Sequence, residues 1–227
     1  THLLSPESWD SSYELAYVLH VERAECEYLV GDLARSDALL ASALQRARSV
    51  PDRAWVYRLY ERLYQLSGAW QEAMSTTLKA LGLFGIALPD SDEAVAAATD
   101  AEIRLVSDNL GGRRIADLAN VPLSDDPEVR ACVGLLEEAM PLIFCTRPSL
   151  WPLVTAMGVN VCLRRGHAEE SPFVYSCYAM VLAGVSRDVP AAHEFSEMAL
   201  RLNERLPTAA AWRGKLLFHH GALITIW

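Results

Sequence analysis

The sequence predicts an all-α protein made of consecutive helical hairpins. Three observations lead there. Apolar residues recur at helical spacing almost throughout, and runs of strict alternation are hard to find. Ala and Leu dominate while Ile and Thr are sparse, which favours helix on propensity. Small residues also return at fixed offsets after helix ends, as they do in arrays of repeated helix pairs.

The elements follow in order. Between Tyr13 and Val30, the residues Leu15, Val18, Leu19, Val21, Cys26 and Leu29 form the expected buried face, and Gly31 supplies a stop. Asp32 is placed to cap the next helix, which buries Leu33, Leu40, Ala43, Leu44 and Ala47. Pro51 and Asp52 break it and open a helix from Arg53 to Leu66; Gly68 ends that one, and Trp70 to Phe84 is the fourth. A capping box pairing Asp90 with Glu93 opens a helix to Leu110. After Gly111-Gly112 comes a short helix from Arg113 to Leu118. Asp126-Pro127 starts another that reaches Phe144, with Pro141 expected to kink or shorten it. Two very apolar helices, Ser149 to Arg165 and Pro172 to Val185, should sit at the centre of the packing. The last pair spans Pro190 to Leu206 and Ala209 to Trp227. No Gly/Ser-rich linker divides them, so residues 1–227 are read as one continuous array with an irregular unit or bend at 88–126.

The repeat offsets refine this to a tetratricopeptide-like helical-hairpin solenoid, an α-α superhelix. Gly68, Ala80, Phe84 and Ala87 stand at steps of twelve, four and three. In such a unit a small residue ends helix A, an Ala twelve positions on lets helix B approach, and a large residue fills the groove. Gly31, Ala43 and Pro51 repeat the spacing, as do Arg187, Ala199 and Pro207, with Arg where Gly is expected.

Composition bounds the function. The 227 residues are 52% hydrophobic and 22% charged, an ordinary globular balance that supports a real core. A net charge of −9 opposes nucleic-acid binding, which needs clustered Lys and Arg on phosphates. Cys26, Cys132, Cys145, Cys162 and Cys177 form no CxxC pair; they are expected as free core thiols in a reducing cytoplasm. No stretch reads as a membrane span. The chain opens at Thr1 without Met and stops at Trp227 inside an apolar helical pattern, so a fragment of a larger protein is expected.

Several strings go beyond the repeat spacing: Glu22-Arg23-Ala24-Glu25-Cys26-Glu27-Tyr28-Leu29, Val56-Tyr57-Arg58-Leu59, Ala80-Leu81-Gly82-Leu83-Phe84-Gly85-Ile86, and Ile115-Ala116-Asp117-Leu118 before Val121-Pro122-Leu123. In these the chain resembles the helical repeat region of large bacterial signalling proteins, in which a serine/threonine kinase and an AAA- or STAND-type ATPase precede the repeats and a GAF domain and sensor histidine kinase follow. The resemblance implies a non-catalytic interaction or sensor region that binds a protein or peptide, neighbouring domains included. Its alternative is the inducer-binding domain of a STAND-type regulator, marked by a deep apolar cavity near Trp151 and Phe173.

The residues themselves offer no catalytic centre. GxxxxGK[ST], HRD, DFG and GxSxG are absent, so no catalytic, cofactor or metal-binding residue is assigned. Among His2, His20, His167, His193, His219 and His220, the string His193-Glu194 starts like HExxH, but Glu197 replaces the second His. His167 is expected in solvent, with at least one of His219 and His220. Glu137-Glu138 reads as a solvated helix face, and Gly111-Gly112-Arg113-Arg114 as a turn with surface arginines. The stripe Tyr57, Tyr60 and Tyr64 reads first as core contacts between neighbouring repeats, and with Arg58 and Arg62 it is also the candidate binding groove.

Overall fold

In the computed structural model, which describes residues 7–226, eleven α-helices appear among the described residues, joined by short 3₁₀ and π segments. No strand is present among them, only an isolated bridge between Leu123 and His167. Along the sequence the chain divides into two compact units, with the boundary between Ala87 and Leu88.

The first unit holds α1 (Ser8–Ser11), α2 (Tyr13–Leu29), α3 (Leu33–Arg46), α4 (Val50–Leu66) and α5 (Trp70–Gly82). Helices α2 and α3 pair, α4 and α5 pair, and α3 packs on α4. The face that α2 buries is only partly the expected one: Val21 is in the core as expected, but Leu15, Val18 and Leu29 are exposed, while Tyr13, Ala16, Tyr17 and Ala24 enter the core. Hydrogen bonds at the start of α4 account for this. There Ser49 and Asp52 form a capping box, with Asp52 N donating to Ser49 Oγ at 3.1 Å and Ser49 N to Asp52 Oδ2 at 3.2 Å. Tyr13 then donates to Asp52 Oδ2 at 2.6 Å and Tyr17 to the Asp52 carbonyl at 2.6 Å. Two tyrosines thus secure a cap 35 or more residues away, and α4 begins at Val50 rather than Arg53.

The second unit holds α6 (Asp92–Leu110), α7 (Pro127–Thr146), α8 (Trp151–Arg165), α9 (Ser171–Val181), α10 (Val189–Glu204) and α11 (Ala209–Phe218). Helix α6 opens on Ser91, whose Oγ accepts from Ala94 N, one residue later than the expected box at Asp90. It packs on α8; α7 also packs on α8, α8 on α9, and α9 on α10. The 3₁₀ turn Ile115–Asn120 lies on α10, where Arg205 donates to the Ala119 carbonyl at 2.8 Å. Within 88–126, residues 92–110 are regular α-helix, while 88–91 and 111–126 lie outside it, apart from the 3₁₀ turn at 115–120. Pro141 stands on an exposed side of α7, which continues to Thr146. Asn160, buried in α8, ties the α6 contact: it donates to the Glu102 carbonyl at 3.0 Å and carboxylate at 2.7 Å, and accepts from Asn109 at 2.8 Å.

The three positions aligned by spacing share a geometry. Gly31 (φ +87°), Gly68 (+74°) and Arg187 (+56°) are all left-handed, and Arg187 is the one non-glycine so placed among the described residues. Twelve residues on, Ala43, Ala80 and Ala199 are completely buried. Seven residues before each alanine is another buried small residue: Ser36, Ala73 and Ala192. In the first of these stripes Ser36 Oγ donates to the Ala24 carbonyl at 2.8 Å, which brings α3 close to the α2 backbone. A left-handed L-residue costs about 1–2 kcal/mol, offset in part by the greater unfolded freedom of glycine. Arg187→Gly should therefore raise stability by about 0.5–1 kcal/mol, seen as a higher melting temperature by calorimetry.

Candidate functional site

The predicted groove residues lie on α4 but do not form one surface. Tyr60 turns into the core and donates to the Asp37 carbonyl at 3.2 Å. Its ring stacks on Tyr64, with centroids 5.7 Å apart. Burial pushes the Tyr60 and Tyr64 hydroxyls up, with the Asp37 charge adding to it. Arg58 is buried, its guanidinium 5.3 Å from the centre of the Trp55 ring. Tyr57 and Tyr64 stay half-buried, and Arg62 pairs with Glu25 at 3.7 Å. Arg58 and Tyr60 are thus turned inward, and Tyr57, Arg62 and Tyr64 keep partial access to solvent.

His167 reverses its expected place. It is fully buried where residues 121–124 cross the α8–α9 corner. Its Nδ1 lies 3.2 Å from the Val121 carbonyl, which can only accept, so Nδ1 carries the proton and Nε2 accepts from the Tyr175 hydroxyl at 3.1 Å. Its amide donates to the Pro122 carbonyl and its carbonyl accepts from Ser124 N at 2.7 Å. Burial pushes the imidazole down to about 4. This is a neutral structural histidine, out of reach of substrate.

Glu137 and two of the cysteines also depart from expectation. Glu137 is buried rather than solvated. Cys132, Cys162 and Cys177 are buried but Cys26 and Cys145 are exposed. His219 and His220 are both half-buried, their Nδ1 atoms hydrogen-bonded to Ser176 Oγ at 2.9 Å and Ser196 Oγ at 3.0 Å. Arg113 spends its guanidinium on the Leu110, Asn109 and Leu163 carbonyls, and Arg114 pairs with Asp117 at 2.8 Å, so the Gly111-Gly112 turn is held from within. Among the described residues no three His, Cys, Asp or Glu side chains converge as a metal site; His2 lies outside them. No described helix is long and apolar enough to cross a membrane.

One apolar pocket stands out in the second unit. A cavity of about 310 Å³ opens between the end of α7, the start of α8, α9 and the π segment His219–Ile224. Met140, Phe173 and Cys177 are buried at its floor, and Pro141, Phe144 and Cys145 are exposed at its rim. Trp151 meets Phe144 edge-on at 5.7 Å, and His219 lies 5.5 Å from Phe173. Burial, reinforced by Lys215, pushes the His219 imidazole down, so the ring is held neutral at pH 7. Burial and the Glu137 charge push the Cys177 thiol up, so it is no nucleophile. The arrangement offers apolar walls and one neutral hydrogen-bonding ring. It sits at Trp151 and Phe173, where the alternative reading of the sequence placed a cavity, though it is open along its rim rather than closed. The strongly apolar character of α8 and α9 was its signal; the contribution of the 219–224 segment had none.

No protein-family profile matches the chain, and no solved structure matches it. It is similar to hybrid signal transduction histidine kinase G of Dictyostelium discoideum, 21% identical over 234 residues, an alignment that takes in 95% of this chain. The chain spans about 7% of that relative's length. This distant similarity supports a signalling-related context.

Proposed function

We propose that this chain is a non-catalytic, tetratricopeptide-like regulatory module of a larger cytoplasmic signalling protein, of the kind that joins kinase and ATPase domains. It holds a protein or peptide partner, a neighbouring domain of its own parent included, and passes binding on by shifting the packing of its hairpins. The observation that carries this reading is the threefold geometry of a left-handed residue followed twelve positions later by a completely buried alanine, at Gly31/Ala43, Gly68/Ala80 and Arg187/Ala199. Binding acts on neighbouring domains only through different affinities for two packing states. Calorimetric titration of the chain with the adjoining catalytic domain of its parent should give saturable binding, and removing the segment from the parent should change that domain's turnover. Absence of both effects would overturn the proposal.

A second reading, a small-molecule inducer site, is favoured by the apolar pocket at Trp151 and Phe173. Both readings place the chain as a receiver of signals, and they differ in what is received.

A further inference from the structure

We infer that the pocket between α7, α8, α9 and residues 219–224 is a binding site for a small, uncharged, predominantly aromatic molecule that makes one hydrogen bond to His219. This deepens the second reading above and rests on it. Size is the first argument. An engineered apolar cavity of about 150 Å³ takes up benzene, so 310 Å³ suits on the order of a dozen non-hydrogen atoms. That is too small for a folded helix or a domain surface and falls at the low end of small-molecule sites.

Chemistry is the second argument. No charged side chain lines the cavity itself, and Lys215 stands outside that lining, 5.1 Å from the centre of the Phe173 ring, so a charge buried among these walls would lack a direct partner. Met140, Cys145, Cys177 and Met180 give four polarizable sulfur atoms among ten lining residues, and Phe144, Trp151 and Phe173 give three rings. Sulfur and ring edges both favour an aromatic guest, and the unbranched methionines let the walls fit it. The third argument is His219. Its Nδ1 is engaged by Ser176, while Nε2 makes no hydrogen bond among the described residues. With the ring neutral, Nε2 is a donor or an acceptor according to which way the Ser176 hydroxyl points. One polar group in an apolar cavity fixes orientation, as in other sites of this size.

The test uses 1-aminonaphthalene, a neutral dye of about a dozen non-hydrogen atoms with an N–H donor, whose emission shifts to shorter wavelength in apolar surroundings. One saturable site with a Kd of about 10 μM is expected for a guest of this size. Cys145→Trp, a change at an exposed rim position, should close the mouth and weaken binding at least tenfold while circular dichroism and melting stay unchanged. His219→Phe keeps the ring and should weaken the dye about tenfold but leave naphthalene, which has no polar group, within twofold. As a measurement free of any folding question, saturating dye should slow alkylation of Cys145 in the unaltered protein at least fivefold. Non-saturable uptake, an unprotected Cys145, or binding that survives Cys145→Trp but is lost in Phe218→Ser on the exposed face of α11 overturns the inference. Domain titration by calorimetry reads the hairpin module separately, so an empty pocket and a failed regulatory role give different results.

Discussion

Between pH 7 and pH 4, the unit beginning at Leu88 should lose about 3 kcal/mol of stability through His167 alone. In the fold this imidazole is held neutral by burial and takes a proton only near pH 4, against 6.5 when exposed. The unfolded chain therefore binds the proton first as the solution is acidified. The contribution of neutral His167 is complete above pH 6.5 and falls away as pH drops toward 4; below 4 both states are protonated and the loss stops. Protonation would also destroy the acceptor that the Tyr175 hydroxyl uses and leave that fully buried group without a partner. Urea unfolding of the unaltered protein and His167→Gln at a series of pH values should show the difference between them shrinking by about 3 kcal/mol across this window. Gln carries a donor and an acceptor but does not titrate. The Arg-paired carboxylates Asp117 and Asp126, whose folded forms are held below the usual carboxylate range, act in both proteins and cancel. Parallel pH curves for the two proteins would refute the assignment.

His167 also marks where sequence reading stops. Its string, His167-Ala168-Glu169-Glu170, has the polarity of an exposed turn, and nothing local signals that Val121 and Pro122, some 45 residues upstream, will cover it. The misread face of α2 has the same cause. Tyr13 and Tyr17 are core residues because a capping aspartate on another helix accepts from their hydroxyls, whereas Leu15, Val18 and Leu29 looked apolar by composition alone. What depended on neighbours within one turn was legible: the Asp32 cap, with Arg35 N at 3.1 Å, the Asp126-Pro127 start, and the left-handed ends at Gly31, Gly68 and Gly111. The same division runs through the site. The apolar walls on α8 and α9 are written in local composition. The mouth of the pocket needs residues 219–224, whose π spacing breaks the period that reveals ordinary helices. The Tyr57–Tyr64 stripe shows the converse: Tyr60 and Tyr64, four residues apart, do stack, but spacing alone does not tell which side chains of the stripe turn inward.

Enlarging the buried alanines tests the hairpin geometry itself. Ala43, Ala80 and Ala199 have no exposed surface, and each stands on its helix seven positions after a second buried small residue. Leucine at any of them inserts three further carbon atoms where backbones approach, forcing helices apart or side chains off their rotamers. Overpacking of this kind costs about 1–3 kcal/mol, and the upper part of that range is expected because neither partner backbone can move without carrying its whole helix. The control is Ala101→Leu on the exposed face of α6, which should stay within about 0.5 kcal/mol of the parent since helix propensity hardly changes. Equal large losses at all three positions, measured by urea unfolding, are what one repeated structural slot requires. A chance scatter of alanines through an irregular bundle would give unequal losses, and a single position as tolerant as Ala101 would remove that repeat from the array. The losses also decide how a partner could act: if each close approach is this intolerant of added volume, the hairpins have few alternative packings, and a ligand that selects one of them shifts the whole unit rather than a single side chain.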